Sequence, residues 1–300
     1  MAVIPRWRFV AVLVVAVALV GGACGKSTKK TVAGTKLTSL GKKLPKAIQD
    51  SGVVRVGSDI EYAPIESFKE NTKIAQGLDI DVADAMGAKL GVKLRFIDDT
   101  DFAGIILALR SGRFDIIMSA MNDTAERRGK GVDFIVYFRA GTSIVAKKGN
   151  PESVKSLDDL CGKTVSVQKG TVQETDIIAP QQPKCTAAGK PRIDVLGFEK
   201  DTDALQQVKV GRAVADLEDF PVAAYNAKTS GGGEDFEVVG QPGFSVGQYG
   251  IAVPKEQRAL RDALRAALRA AISDGTYDRL LGKWNLTGGA LKTAPLNGGG

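Results

Sequence analysis

The chain has 300 residues, 44% hydrophobic and 25% charged, a globular composition that is long enough for two domains. It contains no histidine, which excludes Ser-His-Asp and Cys-His catalytic sites as well as imidazole-ligated zinc. The net charge is +7, but nine basic residues and no acidic residue precede Asp50, so residues 47–300 carry a net charge of −2 and no nucleic-acid partner is expected.

The first element in chain order is an uncharged apolar run, residues 9–23, which follows two arginines and precedes Cys24. A membrane span needs about 20 apolar residues, so this shorter run predicts a secretory signal peptide over residues 1–23. The alternative is a permanent transmembrane anchor. Residues 20–24 resemble a bacterial lipobox, which implies that Cys24 is lipidated and holds the exported protein on the outer face of the cell membrane. The polar residues 24–46 predict a flexible tether.

From residue 47 onward, short β-rich runs alternate with runs of helical periodicity. This alternation is typical of βαβ units, which form a mostly parallel sheet with helices on both faces. The alternation of strands and helices starts again after Gly149, which predicts two α/β lobes. The glycine-rich residues 288–300 predict a disordered tail. The predicted strands are residues 53–57, 93–97, 115–119, 142–147, 164–168, 194–198, 213–217, 236–240 and 249–253, and the predicted helices are residues 77–91, 102–111, 172–179, 201–210, 220–228, 255–272 and 276–285.

Two of the three cysteines, Cys161 and Cys185, fall in the second predicted lobe. In an exported protein they can close a disulfide loop of about 24 residues, worth roughly 3 kcal/mol in the chain-entropy model. Two free buried thiols are the alternative. The sequence has no CxxC pair and no other metal-ligand spacing, so we expect neither a metal site nor a cofactor.

Three segments in order, residues 56–66 (VGSDIEYAPIE), 77–82 (GLDIDV) and 115–127 (DIIMSAMNDTAER), resemble the family 3 solute-binding proteins of bacterial ABC importers, the polar amino-acid type. The resemblance covers about residues 47–287. It implies an α/β fold of the periplasmic-binding-protein type II, in which each lobe is a mostly parallel sheet flanked by helices and two hinge crossovers join the lobes. Lobe 1 would comprise residues 47–146 and 248–287, and lobe 2 residues 147–247.

An amino acid offers its receptor a carboxylate, an ammonium group and a variable side chain. Arg127 matches the family position that binds the carboxylate, and a guanidinium pairs with carboxylate in a bidentate fork. Asp219 matches the position that binds the ammonium group, with Glu218 as the alternative.

The resemblance assigns six further residues to the ligand. Aromatic rings are rigid platforms for apolar stems and cationic heads, while hydroxyl, amide and backbone N–H groups complete the contacts to carboxylate. The residues are Tyr62 and Phe102 on either side of the ligand side chain, Ser119, Asn122 and Thr171 as hydrogen-bonding positions, and Asp59 near the side-chain end.

These expectations combine into one function: a lipid-anchored, monomeric extracellular receptor that captures an amino acid and delivers it to an ABC permease. No catalytic residue is assigned. An enzyme that resembles the cyclohexadienyl dehydratases is the alternative, and its general acid would be Glu61, Asp59 or Glu174. A sensor partner that signals without transport is a third reading, and the identity of the amino acid is left open.

Overall fold

The computed structural model of the chain describes residues 36–98 and 100–298. The predicted signal peptide, Cys24 and the first part of the predicted tether lie outside the described residues. Among those that are described, no helix combines the length and the apolar composition that a bilayer crossing requires.

Two sheets form in the described chain, and the larger one runs through both lobes. Its eight strands lie in the order β5-β1-β6-β11-β7-β10-β8-β9, whereas β2, β3 and β4 form a small antiparallel sheet. The strands are β1 (Val53–Gly57), β2 (Glu61–Tyr62), β3 (Glu66–Phe68), β4 (Ala75–Gln76), β5 (Lys93–Ile97), β6 (Ile116–Ile117), β7 (Val132–Lys147), β8 (Thr164–Gln168), β9 (Asp194–Phe198), β10 (Ala215–Asp219) and β11 (Phe236–Pro254).

Helices cover the faces of the large sheet, as the alternating sequence pattern predicts. The π-helical turn Gln173–Ile178 continues directly into a regular helix, so this helical region extends well beyond the predicted end at residue 179. The α-helices are α1 (Lys46–Ser51), α2 (Leu78–Leu90), α3 (Ile105–Arg110), α4 (Ala125–Gly129), α5 (Ala179–Ala187), α6 (Asp201–Lys209), α7 (Phe220–Thr229), α8 (Arg258–Ser273) and α9 (Thr276–Trp284).

The two lobes are joined by β7 and β11, which pair with each other along most of their length. β7 also pairs with β10 of lobe 2, and β11 pairs with β6 of lobe 1. The register between β7 and β11 shifts between residues 239 and 250, where the strands pass from one lobe to the other. A Cβ at Gly141 would lie 2.0 Å from the carbonyl oxygen of Gly243, so this close crossing requires glycine. The sequence predicts both ends of β11 but only residues 142–147 of β7. The irregular middle of β11 and the almost continuously buried first part of β7 both lack the two-residue alternation that marks a strand.

Each lobe has its own apolar core. The core of lobe 1 packs the buried faces of α2, α8 and α9 against the sheet, with Leu260, Leu264 and Leu268 of α8 fully buried. The core of lobe 2 includes Cys185, which forms a disulfide with Cys161. This confirms the disulfide prediction for the two cysteines.

The prediction of a disordered C-terminal tail is wrong for residues 288–298. This segment lies along β7, where Leu296 forms a bridge with Ile135 and the backbone N–H of Val136 donates to the carbonyl of Pro295 at 2.9 Å. The backbone N–H of Asn297 donates to the carbonyl of Phe134 at 2.9 Å, and the backbone N–H of Phe134 donates to Asn297 Oδ1 at 2.8 Å. The lobe 1 half of β7 has β11 on one side only, so the tail satisfies backbone groups that would otherwise lie at a sheet edge.

The prediction of a flexible tether is also wrong for its described end, residues 36–46. Leu44 is buried in the core of lobe 1, and the hydroxyl of Thr38 donates to the carbonyl of Lys89 at 2.6 Å. The last carbonyls of a helix have no partner within the helix. This segment provides such partners at the end of α2, which composition alone does not reveal.

Candidate functional site

A polar cleft between the lobes contains all eight side chains that the sequence analysis assigns to a ligand. The cleft holds about 360 Å³ of empty space, open solvent included. Lobe 1 contributes residues that follow β1 and β6, and lobe 2 contributes residues that follow β8 and β10, so the carboxyl ends of parallel strands meet there. The lining residues are Asp59, Glu61, Tyr62, Glu66, Phe102, Ser119, Ala120, Asn122, Arg127, Gln168, Thr171, Val172, Gln173 and Asp219.

Arg127 is a buried cation at one end of the cleft, 5% exposed. Thr124 caps the short helix α4 by accepting from the backbone N–H of Arg127 at 3.2 Å, which fixes the start of the side chain. The guanidinium donates to the carbonyl oxygens of Asn122 and Gly170, both at 2.8 Å, and lies 5.4 Å from the centroid of the Phe102 ring. Burial lowers the pKa of Arg127 to about 10. Both hydrogen-bond acceptors are neutral, and no described carboxylate forms an ion pair with this guanidinium, although Asp176, Glu126 and Asp219 act on it at longer range. The position therefore suits an anionic group.

Asp219 is the corresponding buried anion, at the junction of β10 and α7. Its carboxylate accepts from Gln173 Nε2 at 2.9 Å and from Tyr249 Oη at 2.6 Å, and its backbone N–H donates to Tyr62 Oη at 2.7 Å. Burial raises the pKa of Asp219 to about 6. The hydrogen-bond donors are all neutral, so the carboxylate suits a cationic group. Glu218, the alternative anion, does not line the cleft; it is buried and accepts from Asn226 Nδ2 at 2.9 Å.

A second acidic region lies where Asp59 and Glu61 of lobe 1 meet Lys200 of lobe 2. The ammonium group of Lys200 forms an ion pair with Asp59 and lies 3.8 Å from Glu61 Oε1. Asp59 also accepts from Gln168 Nε2 at 2.7 Å, and Glu61 accepts from Thr202 Oγ1 at 2.9 Å. Burial and the neighbouring Asp59 raise the pKa of Glu61 to about 7. The acidic groups outnumber the single lysine, and this end of the cleft therefore favours positive charge.

Glu66, which lines the cleft, and Asp79, which lies behind it, form a buried pair of acids. Ser119 donates to Glu66 Oε1 at 2.9 Å, and its hydroxyl accepts from the backbone N–H of Asp59 at 3.0 Å. Tyr137 Oη donates to Asp79 Oδ1 at 2.6 Å. Burial raises the pKa of Asp79 to about 7, and burial together with Asp79 raises that of Glu66. Both shifts favour the protonated acid over the carboxylate, and Glu66 orients the hydroxyl of Ser119.

Thr171 and Asn122 complete the predicted set. The hydroxyl of Thr171 donates to the carbonyl of Gln168 at 2.7 Å, so it holds the turn that follows β8. Asn122 Oδ1 is buried and has no hydrogen-bond partner among the described residues. A Cβ at Gly247 would lie 2.0 Å from this oxygen, so glycine is required opposite it.

Several lining residues are not among the predicted ligand residues. Gln173 lies two positions after Thr171, at the same strand-to-helix turn. That position is the sequence signal that could have identified it. Glu61 appears in the sequence analysis only as a candidate acid of the enzyme alternative. Lys200, which follows β9, and Tyr249, which lies within β11, contact predicted residues, and no sequence motif marks either of them.

Two lobes joined by a pair of crossover strands, with a charged cleft between them, define the type II fold of the periplasmic binding proteins. The sequence profile of the bacterial extracellular solute-binding proteins, family 3, matches residues 54–287. The chain belongs to this family.

Known proteins of this family resemble the chain over most of its length. Arginine-binding protein ArgT of Corynebacterium glutamicum is 33% identical over 254 residues, which are 85% of this chain and 81% of that protein. An ancestral arginine-binding protein, solved with arginine bound, has 39% identity and a TM-score of 0.69 over 78% of this chain and 98% of its own. An ancestral amino acid-binding protein described as a precursor of cyclohexadienyl dehydratase has 37% identity and a TM-score of 0.66, covering 79% of this chain and 97% of its own.

Proposed function

We propose that this protein is a lipid-anchored extracellular receptor that captures an amino acid between its closing lobes and delivers it to an ABC permease. The observation that carries the proposal is the pair of buried, oppositely charged side chains, Arg127 and Asp219, which line one cleft from different lobes and have only neutral hydrogen-bond partners. An amino-acid zwitterion supplies one anion for the guanidinium and one cation for the carboxylate. Each of these pairings forms fully only in the closed cleft, so the ligand stabilises closure.

The acidic end of the cleft favours a basic amino acid, with arginine as the first candidate. Asp59 and Glu61 face Lys200 there, and a ligand guanidinium would take over that pairing. The side chain of Lys200 is 36% exposed, so its ammonium group can turn toward water when a ligand enters. The relatives named for arginine point the same way.

A thermal-shift screen against the twenty common amino acids tests the proposal. A ligand present at a hundredfold excess over its Kd stabilises the folded state by about 2.7 kcal/mol. We expect arginine to give the largest rise in melting temperature, with lysine next. A protein that responds to none of the twenty would not be an amino-acid receptor.

Chemical conversion of the bound ligand distinguishes the enzyme alternative from the receptor. Asp59 and Glu61, two of its candidate acids, are engaged with lobe 2 partners, and Glu174 accepts from the backbone N–H of Gly170 at 2.7 Å outside the cleft lining. We expect arginine to be recovered unchanged by mass spectrometry after long incubation with the protein. A dehydrated product from any prephenate-like acid would favour the enzyme.

The membrane anchor and the permease have separate tests. Cys24→Ala should abolish lipid attachment and release the protein from membranes, while Cys24→Ala and the wild type should bind arginine equally. Membrane association that persists in this variant would exclude a lipid at that residue. Transport should be lost when the partner permease is deleted, although binding by the purified protein remains.

A further inference from the structure

Three acidic side chains lie together inside lobe 2, outside the cleft lining. Asp201 begins α6, and Asp216 and Glu218 lie on β10. One carboxylate oxygen from each lies within 4.8 Å of the others. Each residue is at most 3% exposed. Three acidic groups held this close in the interior are ionised together only beside a counter-charge, because desolvation and mutual repulsion both oppose their ionisation.

The described contacts do not supply that counter-charge. Both carboxylate oxygens of Asp216 are buried without a hydrogen-bond partner, and so is Glu218 Oε1. Glu218 Oε2 accepts from Asn226 Nδ2, a neutral donor, at 2.9 Å. Lys200, which directly precedes Asp201 in the chain, pairs with Asp59 instead. The Ser166 hydroxyl beside Asp216, and the Asp201 and Glu218 carboxyl groups beside each other, bring no positive charge. A buried polar atom without a partner costs free energy, and a bound cation would relieve that cost at all three oxygens.

The oxygen atoms limit what that occupant can be. A set of carboxylate oxygens without nitrogen or sulfur suits a hard cation rather than zinc or copper. Ca²⁺ binds oxygen ligands at about 2.3–2.6 Å, so oxygens on opposite sides of the ion lie up to about 5 Å apart. The separation in this cluster falls within that limit. Mg²⁺ needs shorter distances and retains several waters, for which a buried cluster is less suitable.

We propose that Asp201, Asp216 and Glu218 form a binding site for a divalent hard cation, and that Ca²⁺ is the cation it takes. The sequence analysis predicts no metal site because the three acids are not arranged in a recognised ligand motif. Two of them alternate along one strand, which places Asp216 and Glu218 on the same face of β10. The third comes from the first residue of the helix that follows β9.

The site would also fix the part of lobe 2 that meets lobe 1. The backbone N–H of Asp201 donates to Glu61 Oε1 at 3.1 Å, and the hydroxyl of Thr202 donates to Glu61 Oε2. A cation held by the Asp201 carboxylate would therefore anchor the start of α6 directly behind the cleft. The site does not depend on which ligand the cleft binds.

Titration calorimetry with CaCl2 on the purified, EDTA-treated full chain tests this proposal without any amino acid present. We expect one Ca²⁺ per chain, with a Kd at or below about 1 mM as in extracellular calcium modules, and a rise in melting temperature on adding CaCl2. A wild-type protein that stays folded and takes up no Ca²⁺ at about 10 mM, ten times that limit, would overturn the proposal.

Two isosteric variants locate the ion. Asp216→Asn and Glu218→Gln should each weaken Ca²⁺ binding at least about tenfold, because each removes one of three charged ligands. In EDTA both should melt no lower than the wild type, since each removes a buried like charge. Asp203→Asn, an exposed acid on the same helix, is the matched control and should bind Ca²⁺ normally. Normal Ca²⁺ affinity in both cluster variants would place the ion elsewhere and refute the site.

Discussion

Replacing Arg127 with alanine should separate ligand binding from folding. With the guanidinium gone, the ligand carboxylate would be buried without its partner, a loss of roughly 2–5 kcal/mol by analogy with truncated interface pairs. At about 1.4 kcal/mol per decade, binding should weaken by about thirtyfold or more.

The same substitution should have little effect on the ligand-free protein. Two hydrogen bonds to carbonyl oxygens at 2.8 Å are lost, worth about 1 kcal/mol each. Against this, the variant no longer buries a cation whose pKa is lowered from 12.5 to about 10, a relief of roughly 3 kcal/mol. The two effects nearly cancel, so the melting temperature should change by a few degrees at most.

Calorimetry with arginine measures the loss of affinity, and a thermal melt without arginine measures the stability of the ligand-free variant. Arg110→Ala is the matched control, because Arg110 pairs with Glu256 at the surface and its side chain is 38% exposed; its arginine affinity should equal that of the wild type. Near-native affinity in Arg127→Ala, with the fold intact, would refute the assignment of Arg127 to the ligand.

Lys200→Met removes the internal cation that pairs with Asp59 at the acidic end of the cleft, so calorimetry should give tighter arginine binding than in the wild type; weaker arginine binding would show that the ligand guanidinium does not lie at this end. Glu66→Gln should flatten the pH dependence of urea unfolding. Because burial and the neighbouring Asp79 raise the pKa of Glu66 well above 4.5, the folded state holds a proton at Glu66 that the unfolded state releases, and wild-type stability should fall by about 1 kcal/mol per pH unit per proton as the pH rises above about 4.5. Glu66→Gln removes this titrating group, and an unchanged slope in the variant would show that Glu66 holds no such proton. Replacing both Cys161 and Cys185 with serine should lower the free energy of unfolding by about 3 kcal/mol. Equal stability of the wild type in urea with and without reductant would contradict this prediction.

The sequence predicts the lobes and the cleft well because both depend on local signals. The short strands β5, β8 and β9 match their predicted ranges because each is bounded by turns and rich in branched residues. The eight predicted ligand residues share one cleft because their motifs follow the ends of parallel strands. Their contacts to a ligand remain predictions.

Features that depend on distant parts of the chain were not predictable in this way. The tail pairs with β7 through Leu296, about 160 residues from its partner Ile135, and a glycine-rich composition conceals that contact. Asp201, Asp216 and Glu218 come together only when β10 lies beside the start of α6. Lys200 belongs to no recognisable sequence motif, and it meets Asp59 only in the folded protein.

The central claim is that Arg127 binds the carboxylate of a captured amino acid, and a comparison of L-arginine with agmatine, its decarboxylated form, tests it most directly. Calorimetry on the wild type should show arginine binding at least about thirtyfold more tightly than agmatine, and Arg127→Ala should remove most of that difference. Equal affinities for arginine and agmatine in the wild type, or an arginine advantage that survives in Arg127→Ala, would contradict the claim.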